Sequence, residues 1–225
     1  MSNETALTFG AAGGFGTFAG WELQSDTPNT QSDRASTLGP QGDEVSSNLY
    51  NMRTESASTY KCSANTNTVP AVLGKLYNGR ILTSIGITTS NSDRAQMTLN
   101  GHQHAANTHA DTLKQTAHGI QCPKAFGAID FMGGTGATGS AVASGSVTIT
   151  VQHNDKTDAD GAHLVGENYN GMMTAQTSWT GPVTTAGVQG WDTTSSEVPV
   201  VNTDFISTNC SGTKSVALSG PQGPS

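Results

Sequence analysis

The chain has 225 residues, enough for one large domain or two small ones, and carries a formal net charge of −7 with only ten Lys and Arg residues. This balance excludes a basic footprint for holding nucleic acid or an anionic membrane. Only 34% of the residues are hydrophobic and 12% are charged. Gly, Ser, Thr and Asn fill much of the remainder, a composition typical of β-rich surface or assembly proteins and unlike helical enzymes.

Targeting signals and disulfides are not indicated. The N-terminal stretch MSNETALTFG lacks the basic and apolar regions of a signal peptide, and no apolar run approaches the roughly 18 to 20 residues that span a bilayer. We therefore expect no membrane partner, and a protein that is made and kept in a cytoplasm or leaves it without the general secretory route. Cys62, Cys122 and Cys210 are odd in number and widely spaced, which favours structural thiols.

The first part of the chain predicts two strands separated by a loop. ALTFG at 6–10 predicts a short strand, and MRTESASTYKC at 52–62 predicts a second one. Residues 24–50 are polar and without clear alternation, so we predict a long loop there.

A short helix is predicted at PAVLGKLYNG, residues 70–79. Pro70 suits a first helical turn, the apolar residues recur at helical spacing, and Gly79 is a terminator. The apolar stripe of such a helix needs a sheet to lie on, so we expect it on the flank of one.

Strict alternation predicts the remaining strands. ILTSIGITT at 81–89 and AQMTLNG at 95–101 are separated by turn-forming residues and predict an antiparallel hairpin. SVTITVQH at 146–153 predicts a half-buried strand. LVGENYNGMMTAQTSW at 164–179 predicts a turn entering a strand, with one face formed by Met173, Ala175, Thr177 and Trp179.

The chain also resembles itself at an offset of 119 residues. Tyr169 then falls on Tyr50 and Trp179 on Tyr60, and the C-terminal STNCSGTKSVALSGPQ falls on TTSNSDRAQMTLNGHQ without a gap. One ungapped offset that aligns turns and strands indicates internal duplication. We therefore predict two divergent β-rich units, residues 1–105 and 118–222, with a polar linker at 106–117 and a loose tail at 223–225.

The best candidate for a metal site is HQHAANTH. If the strand continues from MTLNG, alternation places His102 and His104 on one face, a geometry that a zinc or copper site can use, and His109 could supply a third ligand. No fourth ligand is identifiable. We therefore predict a polar strand end without metal or cofactor, and keep these three histidines as the candidates.

Other motifs do not predict catalysis. Asp155, Asp158 and Asp160 superficially resemble a calcium loop, but their spacing departs from that motif, so we interpret them as a solvated loop. The Gly-rich runs lack the Lys of a P-loop, and no nucleophile elbow occurs. We expect no catalytic residues and no enzyme activity.

The order of elements in the first unit resembles the tail tube proteins of tailed bacteriophages. The resemblance rests on the layout of ALTFG, the long loop, MRTESASTYKC, VPAVLGKLYNG and ILTSIGITTSNSDRAQMTLNG. It implies a β-sandwich with a short flanking helix. Together with the internal duplication, we predict a mainly β fold of two tandem, divergent, β-sandwich-like units with a short flanking helix.

The resemblance also implies a structural role in the virion. Subunits would join their sheets into rings of three or six chains, rings would stack through a long loop and terminal arms, and other tail proteins would be partners. DNA would pass transiently through the lumen, where an acidic or neutral wall would not hold phosphates. A duplicated unit needs only three chains for six tube-like units.

Other functional classes fit the same composition. A virion decoration or fibre protein, or a surface carbohydrate-binding module, would expose Trp21, Trp179 and Trp191 in a shallow groove. Trp179 lies on the alternating strand face, which favours its burial. A bacterial filament subunit is a further alternative, disfavoured by the absent export signal.

Overall fold

A computed structural model describes residues 14–63, 69–104, 114–116, 118–122, 126–157, 163–185, 190–197 and 207–219. These residues are mainly in strands, and none of them forms a helix, which confirms the predicted mainly β class. The strands are β1 (Trp21–Leu38), β2 (Glu44–Cys62), β3 (Leu76–Tyr77), β4 (Arg80–Ser90), β5 (Gln96–His104), β6 (Thr135–Gly136), β7 (Ala141–Thr157), β8 (His163–Thr180), β9 (Val183–Thr185), β10 (Asp192–Glu197) and β11 (Ser207–Val216).

One large antiparallel sheet contains most of these strands. Its order is β1-β2-β5-β4-β7-β8-β11-β10, with β3 added beside β4, while β6 and β9 form a separate two-stranded sheet. The described residues therefore form one extended sheet instead of two β-sandwich-like units. The reason is the pairing of β4 with β7, which joins strands of both predicted units in one ladder.

The alternating segments form the strands that their patterns predict. β4 and β5 are an antiparallel hairpin in which Ile85 lies opposite Leu99 and Ile87 opposite Met97. β7 and β8 also pair antiparallel. The predicted inward face of β8 is buried along its whole length, at Met173, Ala175, Thr177 and Trp179.

The loop predicted at 24–50 is wrong. Most of it is strand, because β1 covers Trp21–Leu38 and β2 begins at Glu44. After Trp21 nearly every described side chain of β1 is exposed on both faces, so the strand has no need of apolar alternation. The ALTFG strand at 6–10 lies outside the described residues.

The helix predicted at 70–79 is also wrong. Val69, Ala71 and Leu73 are buried at every second position, as in an extended chain, and β3 follows. Gly74 has a φ of +81°, and a Cβ there would lie 2.3 Å from the Lys114 carbonyl oxygen, so close backbone packing ends any helical path. Such short apolar runs fit either periodicity.

The core lies on one face of the sheet. It is built from the alternating residues of the central strands, among them Ile85, Leu99, Val147 and Ile149. Loops cover this face in place of a full second sheet, through the buried side chains of Phe15, Phe18, Leu73, Cys122 and Met132. The three cysteines are buried thiols, as the sequence predicts.

The β1–β2 and β7–β8 hairpins share one register pattern. Register shifts in the first fall between Leu23/Ser25, Gln31/Asp33 and Thr37/Leu38. Those in the second fall between Val142/Ser144, Thr150/Gln152 and Lys156/Thr157. Each shift recurs 119 residues later, as from Leu23 to Val142, which is the offset seen in the sequence.

The β4–β5 and β10–β11 hairpins are related by a different offset. A register shift lies between Leu82 and Ser84 in the first and between Thr193 and Ser195 in the second, which is 111 residues. The strands of the C-terminal segment therefore correspond to β4 and β5 at an offset of 111 residues and not at the 119 residues of the ungapped sequence alignment. Counted between corresponding residues, the connection from β8 to β10 is eight residues shorter than the connection from β2 to β4, which accounts for the difference.

Each half of the sheet also repeats one strand order. In the first half β2 pairs with β5, and in the second half β8 pairs with β11, so that β1-β2-β5-β4 is followed by β7-β8-β11-β10. All neighbours are antiparallel, so the second group of four has the same strand directions as the first. The residue boundaries predicted at 105, 117 and 222 remain predictions.

Two long hairpin ends extend past their neighbours. Among the described residues, β5 pairs with β2 over residues 53–61 and no third strand pairs with the hairpin end at 32–52; we call this end the first arm. β11 pairs with β8 only over residues 171–180, and the hairpin end at 151–170 is the second arm. At about 3.3 Å per residue, the β1 part of the first arm, residues 32–38, spans about 20 Å.

Candidate functional site

The two outer strands of the sheet are candidate assembly edges. β1 and β10 end the strand order, and within the described ranges no other strand pairs with their outer sides. An unpaired edge presents a row of N–H and C=O groups that another chain can continue. β1 contains Pro28, which strands tolerate at an edge.

The face of the sheet opposite the core is polar and uncharged across its five central strands; we call it the polar face. Cross-strand pairing arranges it in three rows, and none of their members is ionisable. The rows are Gln96, Thr88, Ser146, Gln176 and Ser211; Thr98, Gly86, Thr148, Thr174 and Thr213; and Asn100, Ser84, Thr150, Met172 and Ser215.

The two arms differ in their surroundings. The first arm exposes large apolar side chains, with Leu38 63%, Val45 66% and Leu49 53% accessible. The second arm packs on its own chain, because Asn168 is fully buried and its side-chain N–H groups donate to the carbonyls of Lys114 and Gly74. The first arm is therefore the one available to another molecule.

A histidine cluster lies between the two halves of the sheet. His102 and His104 lie side by side on β5, as predicted, with ring centroids 5.1 Å apart. They meet His153 and Asp155 from β7; the centroids of His102 and His153 are 4.6 Å apart. His109, the third predicted candidate, lies outside the described residues.

Asp155 is at the centre of this cluster. Its Oδ2 lies 2.7 Å from Nε2 of His104 and 3.8 Å from Nε2 of His102, and its Oδ1 lies 2.7 Å from Nε2 of His153. The side chains are largely buried, with 4% of His153 and 20% of Asp155 accessible. Three imidazole nitrogens therefore converge on one carboxylate.

Asn168 fixes the orientation of His153. Since the amide nitrogen of Asn168 donates to two backbone carbonyls, its Oδ1 must face the ring, and it lies 2.6 Å from Nδ1 of His153. Nδ1 therefore carries a hydrogen and donates it. Nε2, the other ring nitrogen, faces Asp155.

Burial and charge set the protonation states. Burial first, and the neighbouring His153 second, lower the pKa of His102 to about 3. Burial alone would raise the pKa of Asp155, but the imidazoles of His104 and His153 beside it hold that pKa well below its ordinary value. At neutral pH His102 is neutral and Asp155 is ionised.

Sequence reasoning missed half of the cluster. The sequence pattern places His153 at the end of a predicted strand and assigns it no role in a site. The interpretation of Asp155 as part of a solvated loop is wrong, because Asp155 lies on β7 and contacts histidines. Asp158 and Asp160 lie outside the described residues. Alternation from Val147 to Asp155 could have placed His153 and Asp155 on one strand face.

The tryptophans do not form a common exposed groove. Trp21 and Trp179 are 5% and 8% accessible. Trp191 packs against the core and lies under the ammonium group of Lys214, 4.5 Å from its ring centroid. These positions indicate a structural role for all three.

Comparison with known proteins adds no relative: no protein-family model and no curated protein sequence matches this chain. Among the described residues, no helix has the length and apolar character needed to cross a membrane.

Proposed function

We propose that this protein is a ring-forming structural subunit of the phage tail tube type, built from two copies of one four-strand unit. The observation that carries the proposal is the strand order β1-β2-β5-β4 followed by β7-β8-β11-β10, with β4 and β7 paired. The repeated register shifts support the duplication. The tube assembles in the host cytoplasm and belongs to the virion, where other tail proteins contact its ends.

The β4–β7 ladder supplies the pattern for contact between chains. β4 closes the first unit and β7 opens the second, so their pairing joins the end of one unit to the start of the next. β10 and β1 occupy the corresponding positions at the two ends of the chain. Pairing of β10 with β1 of another chain is therefore a head-to-tail contact, which closes into a ring when the rotation fits.

The two offsets predict the register of this contact. In the internal ladder Ser84 lies opposite Thr150 and Ile85 opposite Ile149. Moving β4 forward by 111 residues and β7 back by 119 places Ser195 opposite Gln31 and Ser196 opposite Thr30 of the next chain. Three chains supply six four-strand units per ring.

The polar face suits the wall of a DNA channel. Its three rows contain no Lys or Arg, and Lys61, which continues the first row on β2, is paired with Asp93 at 3.0 Å. Phosphates therefore find few charge partners on this face, which favours passage of DNA over retention. The first arm, with Leu38, Val45 and Leu49 exposed, suits contact with the next ring in a stack. Both features support a tube over a monomeric binding module.

Cysteine cross-linking tests the proposed contact. The double variant Thr30→Cys with Ser196→Cys should form disulfides between chains on oxidation, because directly opposed residues bring their Cα atoms to about 4.5 to 5.5 Å. Non-reducing gel electrophoresis and native mass spectrometry should show a series ending at one closed oligomer, a trimer. The native cysteines are buried and do not compete.

A pair shifted by one residue is the matched control. Thr30→Cys with Ser195→Cys places the two thiols on opposite faces of the ladder, so it should cross-link poorly. Equal cross-linking of both pairs, or none between chains, would overturn the proposed register. Monodisperse monomers at high concentration would overturn the ring itself.

The absence of positive charge from the polar face leads to a separate prediction about DNA retention. Tubes of Thr148→Lys with Gln176→Lys should retain duplex DNA, and this retention should fall with salt, at a slope of about −0.9 in log K against log salt for each phosphate contacted. Co-sedimentation of labelled DNA with tubes measures both quantities. The neutral variant Thr148→Ser with Gln176→Asn is the control, and DNA held equally by unmodified tubes contradicts a neutral wall.

A further inference from the structure

In the histidine cluster, two hydrogen-bond acceptors face each other, one on His153 and one on Asp155. Nδ1 of His153 donates to Asn168, so Nε2 in a neutral ring has a lone pair. That lone pair lies 2.7 Å from Oδ1 of Asp155, which is ionised. Two acceptors in contact need a positive charge between them, supplied either by a second proton on His153 or by a metal ion.

His102 favours the metal ion. Its Nε2 is buried and has no hydrogen-bond partner, and it points toward the same carboxylate at 3.8 Å. A buried polar atom without a partner destabilises the folded state. A second proton on His153 satisfies only His153 and Asp155, whereas a metal ion satisfies His102 as well.

We propose that His102, His153 and Asp155 bind a divalent transition metal ion, with Zn²⁺ the best match. One ring nitrogen of each histidine and a carboxylate oxygen of Asp155 lie within 4.8 Å of one another. Zinc bonds of about 2.0 to 2.1 Å place ligand atoms about 3.3 Å apart, so side-chain shifts of about 1 Å complete the site. A water molecule completes the tetrahedron.

The donor atoms and their partners select the class of metal. Imidazole nitrogens suit Zn²⁺ and related ions, whereas Ca²⁺ and Mg²⁺ prefer oxygen ligands. Asn168 orients His153 by accepting the hydrogen of Nδ1, and His104 contacts the carboxylate of Asp155 at 2.7 Å. Such outer contacts are typical of metal-binding histidines and carboxylates.

The location gives the ion a structural role. His102 lies on β5 in the first half of the sheet, while His153 and Asp155 lie at the start of the second arm on β7. β4 separates these two strands in the sheet order, so no ladder joins them directly. The ion therefore ties the base of the second arm to the first half, whether the chain is a monomer or part of a ring.

Calorimetric titration of the metal-stripped, full-length protein with ZnCl₂ tests this site. We expect one Zn²⁺ per chain and, at a hundredfold excess over Kd, a rise in Tm of about 5 to 10 °C. His102→Gln, His153→Gln and Asp155→Asn should each weaken binding at least about tenfold. Asp93→Asn is the control, because it removes an exposed carboxylate that pairs with Lys61 outside the cluster, and it should leave affinity unchanged.

X-ray absorption at the zinc edge provides a measurement that does not depend on a variant folding. The wild-type spectrum should show two imidazoles with nitrogen or oxygen ligands at about 2.0 Å. No Zn²⁺ binding, a zinc spectrum without imidazole, or unchanged affinity in His153→Gln would overturn the site. In that event His153 carries the second proton and the cluster is a buried ion pair.

Discussion

Replacing Arg80 with methionine is expected to lower the free energy of unfolding by about 3 kcal/mol, because it removes one partner of a buried ion pair and leaves the other uncompensated. The guanidinium group of Arg80 is 3% accessible and contacts both carboxylate oxygens of Asp26 at 3.1 Å. The side chain of Asp26 keeps 15% accessibility, which places the loss at the lower end of the usual range.

This ion pair connects three strands. Asp26 lies on β1, Arg80 begins β4, and the hydroxyl of Ser58 on β2 donates to Asp26 at 2.7 Å. The guanidinium group also lies over the ring of Phe15, 5.7 Å from its centroid. Loss of Arg80 therefore loosens β1, which among the described strands is paired only with β2.

Urea unfolding followed by tryptophan fluorescence measures the loss. The double variant Asp26→Leu with Arg80→Met should recover much of it, because removing both charges also removes the penalty of an unpaired carboxylate. Arg34→Met is a control, since Arg34 pairs with Glu44 at an exposed position where such pairs contribute little. A change below about 1 kcal/mol in Arg80→Met would contradict the importance of this pair.

Removing the apolar surface of the first arm is expected to abolish stacking while leaving rings intact. The variant combines Leu38→Ser, Val45→Ser and Leu49→Ser, which removes three side chains that are more than half exposed. Burial of such side chains at an interface contributes about 1.5 to 3 kcal/mol each, so their loss removes most of the contact between rings. Negative-stain microscopy should show single rings in place of tubes.

The same microscopy supplies the control and the contrary result. Met172→Ser removes an apolar side chain that is 43% accessible but lies on the polar face, so tubes should form normally. The Tm of the triple arm variant should change little, because these side chains make few contacts within the chain. Tubes of normal length from the triple variant would show that the first arm does not carry stacking.

How much of this fold the sequence predicts depends on burial. β4, β5, β7 and β8 have one buried and one open face, so alternation in segments such as SVTITVQH identifies them. β1 is exposed on both faces and carries no such signal, although it is 18 residues long. Residues 69–77 mislead because Val69, Ala71 and Leu73 combine extended spacing with apolar neighbours that also fit a helix.

For the histidine cluster, the sequence predicts contacts within one strand but not contacts between strands that are distant in the chain. His102 and His104 are two residues apart on one strand, so their proximity is readable from alternation alone. His153 and Asp155 join them only because β4 pairs with both β5 and β7, a relation between distant parts of the chain. The partnerless Nε2 of His102 is a property of packing and has no sequence signal.

The unequal arms limit how one proposed ring can sit on another. In the part of the chain that the structure describes, Asn168 anchors the second arm within its own chain, whereas the first arm exposes its apolar side chains. A ring of three chains thus presents three projecting arms and three tethered ones in alternation. Such a ring can bind the next ring in three equivalent rotations, whereas a ring with six identical arms could bind in six. In the proposed tube, the difference between the two arms would thus restrict the rotation of each ring relative to the next.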